Sequence, residues 1–150
     1  MKINGIAHIA LNVSNLKISK AFYDIFMPIL GLKLIHSSNK SFYYVGGKTG
    51  VLIQQVDKKL SKSHSKYSQN NIGLHHFCFR MRSKEDIDDF YLILKDNNVK
   101  IIRGPLPGNW VSGYYYVVFE DPDGIRLEVN YVPNKGIFED NAQFNPSGDY

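Results

Sequence analysis

The sequence predicts an α+β fold of two βαβββ modules, packed as a curved mixed sheet around a central cleft. The first observation is a nine-residue pattern, Gly5–Val13, which recurs at Gly73–Met81 with a histidine at its fourth place in both copies. The second is an amphipathic stretch with helical spacing after each copy. The third is a run of three strand signals after each helix. A module of this size cannot cover both faces of its own sheet, so we expect the two modules to pack together.

The first module is predicted over residues 1–57. A strand period of two places His8 and Asn12 on one face of the opening strand and apolar residues on the other. Ser14 is predicted to cap the following helix, which ends near Pro28 and Gly31. Three strands are then predicted, at Lys33–His36, Phe42–Val45 and Val51–Val56.

The second module, over residues 71–131, repeats this order. Ser83 is predicted to start its helix, and Asp121–Gly124 is a strong turn signal before the last strand. Residues 58–70 are predicted to be a polar linker, and we expect the tail, 132–150, to be poorly ordered or draped over the surface. The four strands of this module are predicted at Ile72–Met81, Val99–Ile102, Tyr114–Phe119 and Ile125–Tyr131.

The composition is that of a globular protein and favours neither a nucleic-acid nor a membrane partner. Hydrophobic residues make up 43% of the 150 residues and charged residues 21%. The net charge is +4, and much of the excess lies in the predicted linker, which we interpret as solvated. No apolar run is long enough to span a bilayer, and no signal peptide is recognised. The single cysteine, Cys78, excludes an internal disulfide, so we expect a cytoplasmic location.

Four residues at matching places in the two modules predict a metal site. His8 and His76 open the repeated strands, and Gln54 and Glu128 each follow a glycine by four residues in the last strand of their module. Two imidazoles and a carboxylate bind divalent metals and leave positions open for substrate or water. Without a metal, burying Glu128 beside two histidines would be costly. Gln54 would add a weak fourth ligand, with Gln55 as an alternative; nickel, zinc, manganese and iron all remain open.

Strand alternation supplies further candidates for substrate contacts. Arg80 could hold a carboxylate or phosphate of the substrate, or form a surface salt bridge. Trp110, in a glycine-bounded loop, could act as a lid. We expect His75 on the face opposite His76, and Cys78 as a small cleft or core residue. For the tyrosines among the candidates, core packing is the alternative role. The full set of predicted substrate contacts is Asn12, Phe42, Tyr44, Arg80, Trp110, Tyr114 and Tyr116.

Three motifs resemble those of the vicinal oxygen chelate superfamily, which includes glyoxalase I, extradiol dioxygenases, fosfomycin-resistance enzymes and bleomycin resistance proteins. H-I-A-L-N-V at His8–Val13 resembles the N-terminal glyoxalase I pattern, G-L-H-H-F-C at Gly73–Cys78 resembles its second pattern, and D-P-D-G-I-R-L-E at Asp121–Glu128 resembles the closing turn and strand. The resemblance covers about Ile3 to Tyr131. It implies that the latter histidine of the second motif and the terminal glutamate are metal ligands.

The resemblance implies a glyoxalase-like, metal-dependent lyase or isomerase, similar to lactoylglutathione lyase, that acts on a small oxygen-bearing substrate. The metal would stabilise an enediolate or a related oxyanion, and Glu128 would be the catalytic base. Gln54 departs from bacterial glyoxalases, which usually have a glutamate ligand there. Val118 replaces the usual tyrosine of extradiol dioxygenases. The alternatives are a non-catalytic antibiotic-binding module and an Fe(II) extradiol-type dioxygenase. We expect a small-molecule substrate and a homodimer.

Overall fold

The chain forms two compact units, residues 1–66 and 67–150. The structure, a computed structural model, describes residues 2–57 and 67–145, except for the side chain of Ile137. Most of the predicted linker and the last residues of the predicted tail lie outside the described residues, so the predicted module boundaries stay a prediction. Within the described part, no helix is long and apolar enough to cross a membrane.

The first unit contains one helix and a four-stranded mixed sheet. The strands lie in the order β1-β4-β3-β2. β1 runs parallel to β4, and the other neighbouring pairs are antiparallel. The elements are β1 (Ile9–Val13), α1 (Leu16–Ile29), β2 (Lys33–Ser37), β3 (Ser41–Gly46) and β4 (Thr49–Gln55).

The second unit repeats this topology, with the order β5-β8-β7-β6 and one parallel pair, β5 with β8. The two copies of βαβββ confirm the predicted α+β class and the predicted internal repeat. The elements are β5 (Phe77–Arg80), α2 (Lys84–Asp96), β6 (Ile101–Pro107), β7 (Tyr115–Glu120), β8 (Arg126–Tyr131) and a short 3-10 helix (Gly136–Phe138).

Side-chain caps start both helices. In α2 the predicted cap is confirmed, because the Ser83 hydroxyl accepts a hydrogen bond of 3.0 Å from the amide of Asp86. In α1 the cap is Asn15 and not the predicted Ser14. The Asn15 side-chain oxygen accepts from the amide of Ile18 at 3.2 Å, and also from the amide before it. An Asn side chain satisfies these unpaired first-turn amides as well as a serine would, so the cap moves by one residue.

The core of the first unit lies between α1 and one face of its sheet. Phe42 and Tyr44 of β3 are buried on this face, and the Phe42 ring lies 6.3 Å from that of Tyr23 in α1. Burying each such side chain contributes about 1.5–3 kcal/mol. Phe42 and Tyr44, two of the predicted substrate contacts, therefore face the helix. Tyr43, between them, lies on the opposite face of β3, and its ring meets that of His8 edge-on with the ring centroids 6.4 Å apart.

A polar contact ties α1 to the sheet beneath it. The Tyr44 hydroxyl donates a hydrogen bond to the Asp24 carboxylate, which also pairs with Lys20 at 2.6 Å. Burial alone would raise the pKa of Asp24, but the hydrogen bonds from Lys20 and Tyr44 outweigh it and lower the pKa. Tyr44 is thus a structural residue of the helix–sheet contact.

The core of the second unit follows the same rule, with the helix on one face of the sheet. Phe90 of α2 packs its ring 5.7 Å from that of Phe119, so the helix covers the β7 face that carries Phe119. Strand alternation then places Tyr116, Val118 and Glu128 on the opposite face, as expected for the first two from the sequence. The candidate metal ligands of this unit therefore lie on the side of the sheet away from the helix.

Candidate metal centre

His76 and Glu128 come together through the parallel pairing of β5 and β8. His76 lies directly before β5, and Cys78, two residues later, is the register partner of Glu128. In this arrangement Nε2 of His76 is 3.1 Å from Oε2 of Glu128. One imidazole nitrogen and one carboxylate oxygen are therefore in contact within one unit, and both are types of ligand that divalent metals bind.

The burial of Glu128 fits a bound cation. The residue is only 1% exposed, and within the described part of the chain its one ion pair is with His76. Removing a carboxylate from water costs several kcal/mol unless it is paired and hydrogen-bonded. A histidine compensates such a charge only when it is protonated, whereas a divalent ion compensates it fully. The donor chemistry and the burial of Glu128 thus fit a divalent metal.

The second oxygen of Glu128 is held by Tyr114. The Tyr114 hydroxyl donates to Oε1 of Glu128, and the side-chain amide of Asn130 donates to the Tyr114 oxygen at 2.8 Å. Burial raises the pKa of Tyr114, and the hydrogen bond to Glu128 raises it further. Tyr114 is therefore a protonated donor at neutral pH, and both carboxylate oxygens of Glu128 have defined partners.

His75 lies beside His76, and the prediction that it faces the opposite side is wrong. The Nδ1 atoms of the two rings are 2.8 Å apart, and the ring planes meet at 79°. The strict alternation of a strand begins only at Phe77, so it does not separate the two residues before it. Burial lowers the pKa of His75, and the nearby His76 and Arg126 lower it further.

A small cavity of about 20 Å³ lies against the two histidines, and this is roughly the space of one water molecule. Trp110 and Tyr116, both predicted substrate contacts, line it. Trp110 also stacks on Phe144 of the tail, with ring centroids 6.0 Å apart.

Arg103 and Arg126 line the same cavity, which the sequence did not indicate. Nε of Arg126 is buried without a hydrogen-bond partner in the described part of the chain and lies 3.8 Å from Glu120.

The surroundings of His8 and Gln54 in the first unit differ from those of His76 and Glu128, their predicted counterparts in the second unit. His8 is exposed, directly before β1. Gln54 donates through Nε2 to the side-chain oxygen of Asn12 at 2.9 Å, across the β1–β4 pair. Gln55, the alternative ligand, instead accepts from the amide of Leu16 at 2.8 Å and so supports the start of α1.

The strand register corrects the predicted equivalence of Gln54 and Glu128. Ala10 and Cys78 each lie two residues after the repeated histidine, and their register partners are Leu52 and Glu128. Leu52, and not Gln54, is therefore the counterpart of Glu128. The prediction aligned the glycines before the last strands, but Gly50 lies inside β4 whereas Gly124 lies in a turn with φ of +85°.

Arg80 and Cys78 lie on the same face of the sheet as Glu128. The Arg80 guanidinium donates to the main-chain oxygens of Val132 and Asn134, at 2.8 and 3.1 Å, and so anchors the segment after β8. Part of Cys78 is exposed, while the atoms packed around its sulfur and the Glu128 carboxylate raise the pKa of the thiol. Substrate binding by Arg80 stays a prediction.

Two βαβββ units with a paired histidine and buried glutamate define the class: an α+β protein with a candidate divalent-metal centre. Within the described residues, no group of three or more His, Cys, Asp or Glu side chains is arranged to hold a metal ion, and His76 and Glu128 are two candidate ligands that lie in contact. The model of the Glyoxalase/Bleomycin resistance protein/Dioxygenase superfamily matches residues 5–129. The chain belongs to this superfamily, which confirms the resemblance.

Relatives of known sequence and structure agree with this membership. The chain is 31% identical over 142 residues to metallothiol transferase FosB of Staphylococcus haemolyticus, a match that covers 95% of this chain and 91% of the relative. The structure of a candidate glyoxalase from Bacillus halodurans is 27% identical, with a TM-score of 0.77 over 86% of this chain and 96% of the other. The fosfomycin resistance protein FosX of Listeria monocytogenes shares the fold, with a TM-score of 0.62 at 21% identity over 87% of this chain and 95% of the other.

Proposed function

We propose that this chain is a divalent-metal-dependent, glyoxalase-like enzyme, a lyase or isomerase that acts on a small oxygen-bearing substrate. The observation that supports this most directly is the buried Glu128 carboxylate, which lies 3.1 Å from Nε2 of His76 with no Lys or Arg partner among the described residues. A buried carboxylate that contacts an imidazole nitrogen has the chemistry of a ligand for a divalent cation. Superfamily membership supports the same reading, because it extends over both units.

In this proposal His8, His76 and Glu128 hold one divalent metal. The ion, when bound, supplies a Lewis acid for the oxygen atoms of the substrate. Glu128 also accepts the proton next to a substrate carbonyl, because it is the only carboxylate of the proposed set. Tyr114 keeps Oε1 of this carboxylate in place through its hydroxyl, so that Oε2 is the oxygen left to exchange partners. Gln54 cannot take a proton, so the enzyme has one base.

A second candidate reaction is the transfer of a thiol to the substrate. The first support is the 31% identity to proteins described as metallothiol transferases. The second is that both oxygens of Glu128 already have partners, which suits a fixed ligand better than a mobile base. The metal centre is the same in both candidates, and only the role of Glu128 differs.

Two assays on one preparation separate these reactions. The protein is loaded in turn with nickel, zinc, manganese and iron(II). Isomerisation of the methylglyoxal–glutathione hemithioacetal is followed first, and thiol consumption in the presence of fosfomycin second. In the first reaction Glu128→Gln abolishes turnover more completely than Gln54→Ala, because only Glu128 is a base. If neither reaction proceeds with any metal although metal is bound, both assignments fail and only the metal centre stands.

The proposal also includes a homodimer and a small-molecule substrate. Superfamily membership supports both. Light scattering of the purified protein at several concentrations measures the first, and a monomer at all of them would contradict it.

A further inference from the structure

The contact between His75 and His76 has no role in the proposed function. Its Nδ1 atoms are 2.8 Å apart, and the ring centroids are 5.0 Å apart at 79°. Two ring nitrogens approach this closely only when one carries a proton that the other accepts. The contact is therefore a directional hydrogen bond, which defines the rotation of the His76 ring, and not only a packing contact.

The opposite end of the His76 ring points at Glu128. Nε2 lies 3.1 Å from Oε2 of that residue, while Nδ1 faces His75. Rotating the ring about its Cβ–Cγ bond would break both contacts together. The pair of contacts thus leaves Nε2 as the nitrogen on the carboxylate side, where the proposed metal would bind.

We propose that His75 is a positioning residue that orients His76 for metal binding, an inference that rests on the proposed metal centre. When the neutral His76 ring carries its proton on Nε2, Nε2–H donates to the Glu128 carboxylate and Nδ1 accepts a hydrogen bond from Nδ1–H of His75. When Nε2 is a ligand, the neutral His76 ring carries its proton on Nδ1 and donates it to His75. A main-chain carbonyl could serve only the second form, because it cannot donate.

The imidazole of His75 can either donate to Nδ1 of His76 or accept from it, because its own proton can occupy either ring nitrogen. With both rings neutral, the first form carries its protons on Nδ1 of His75 and Nε2 of His76. In the ligated form they carry protons on Nε2 of His75 and Nδ1 of His76. The two rings hold two protons in both cases, so the change of partner requires no net gain or loss of protons.

Two substitutions of His75 distinguish orientation from packing. His75→Asn keeps a group near the Nδ1 position that can donate or accept, but it removes the ring. His75→Phe keeps an aromatic ring but cannot form the hydrogen bond. Metal affinity is measured by competition with a chromogenic chelator for zinc, nickel, manganese and cobalt. We expect His75→Phe to bind about 10- to 100-fold more weakly than the wild type, and His75→Asn to remain close to it. A packing role would give the reverse order and overturn the proposal.

Nitrogen-15 NMR of the metal-free protein tests the contact itself. A scalar coupling across the N–H···N hydrogen bond joins the two Nδ1 nuclei in the wild type and is lost in His75→Phe. Absence of the coupling in the wild type overturns the proposal. If the wild type shows the coupling but binds no divalent metal, the proposed function fails and the positioning role falls with it. If the wild type binds metal and His75→Phe binds it equally well, only the positioning role is overturned.

Discussion

Glu128→Gln should make the metal-free protein at least as stable as the wild type, although it destroys the proposed site. Glutamine can keep both contacts, because its oxygen accepts from Tyr114 and its amide donates to Nε2 of His76. Each charged hydrogen bond contributes about 1.5–3 kcal/mol and each neutral one about 0.5–1.5, so the change loses about 2–3 kcal/mol. Against this, it removes the several kcal/mol that the desolvation of a buried carboxylate costs. We expect a net gain of about 1 kcal/mol, or about 2–4 °C in Tm.

Adding metal should reverse this order. A metal at about 100 times its Kd stabilises the wild type by about 2.7 kcal/mol, whereas the variant gains nothing because a neutral amide replaces the carboxylate ligand. Urea unfolding is followed by the fluorescence of Trp110, the only tryptophan, which lies in the same unit as Glu128. Both proteins are measured with a chelator and with each metal.

Glu85→Gln is the matched control. Glu85 is exposed in the first turn of α2, where a negative charge is favourable. Its substitution should lower stability by about 0.3–1 kcal/mol with and without metal, so its effect does not reverse when metal is added. The reasoning is refuted if metal-free Glu128→Gln is clearly less stable than the wild type, or if metal stabilises both to the same extent.

The remaining predictions concern ligation, a structural tyrosine and the rival oxygenase. His76→Ala should lose its metal on dialysis and stay folded, whereas exposed His36→Ala should keep it; elemental analysis and circular dichroism check both. Tyr44→Phe should cost about 1 kcal/mol of stability. The pKa of Asp24 is lowered in the folded protein, so the hydrogen bond from Tyr44 stabilises the fold above the ordinary carboxyl pKa. The loss of stability in Tyr44→Phe should therefore shrink as the pH falls through the lowered pKa of Asp24. An oxygen electrode should record no catechol-dependent uptake by the Fe(II)-loaded protein, because Val118 cannot transfer a proton; steady uptake with ring-opened product would contradict this.

The internal repeat was readable because it is local in the sequence. A histidine before an alternating strand, an amphipathic helix and three strand signals recur in the same order, and each depends on neighbours along the chain. For the same reason the side of the sheet that carries Glu128 could be predicted from β8 alone. Its apolar neighbours, Leu127 and Val129, pack toward the helix, and the glutamate lies on the other face.

The sequence-based predictions were wrong where contacts between two segments distant in sequence determine the structure. Alternation along β3 does not say which of its faces meets α1, and contact with Tyr23 decides that Phe42 faces the helix. The place of Gln54 depends on the register between β1 and β4, in which Ala10 pairs with Leu52, whereas Cys78 pairs with Glu128 in the second unit.

The sequence by itself therefore determined the α+β class, the order of the elements and the face of β8 on which Glu128 lies, because these follow from local periodicity. Only the tertiary structure decided that His75 contacts His76, that Tyr114 donates to Glu128, and that Leu52 occupies the place predicted for a fourth ligand. Each of these depends on distances between side chains from different strands or from a loop. Strand pairing and helix packing fix such distances, and no spacing along the chain encodes them.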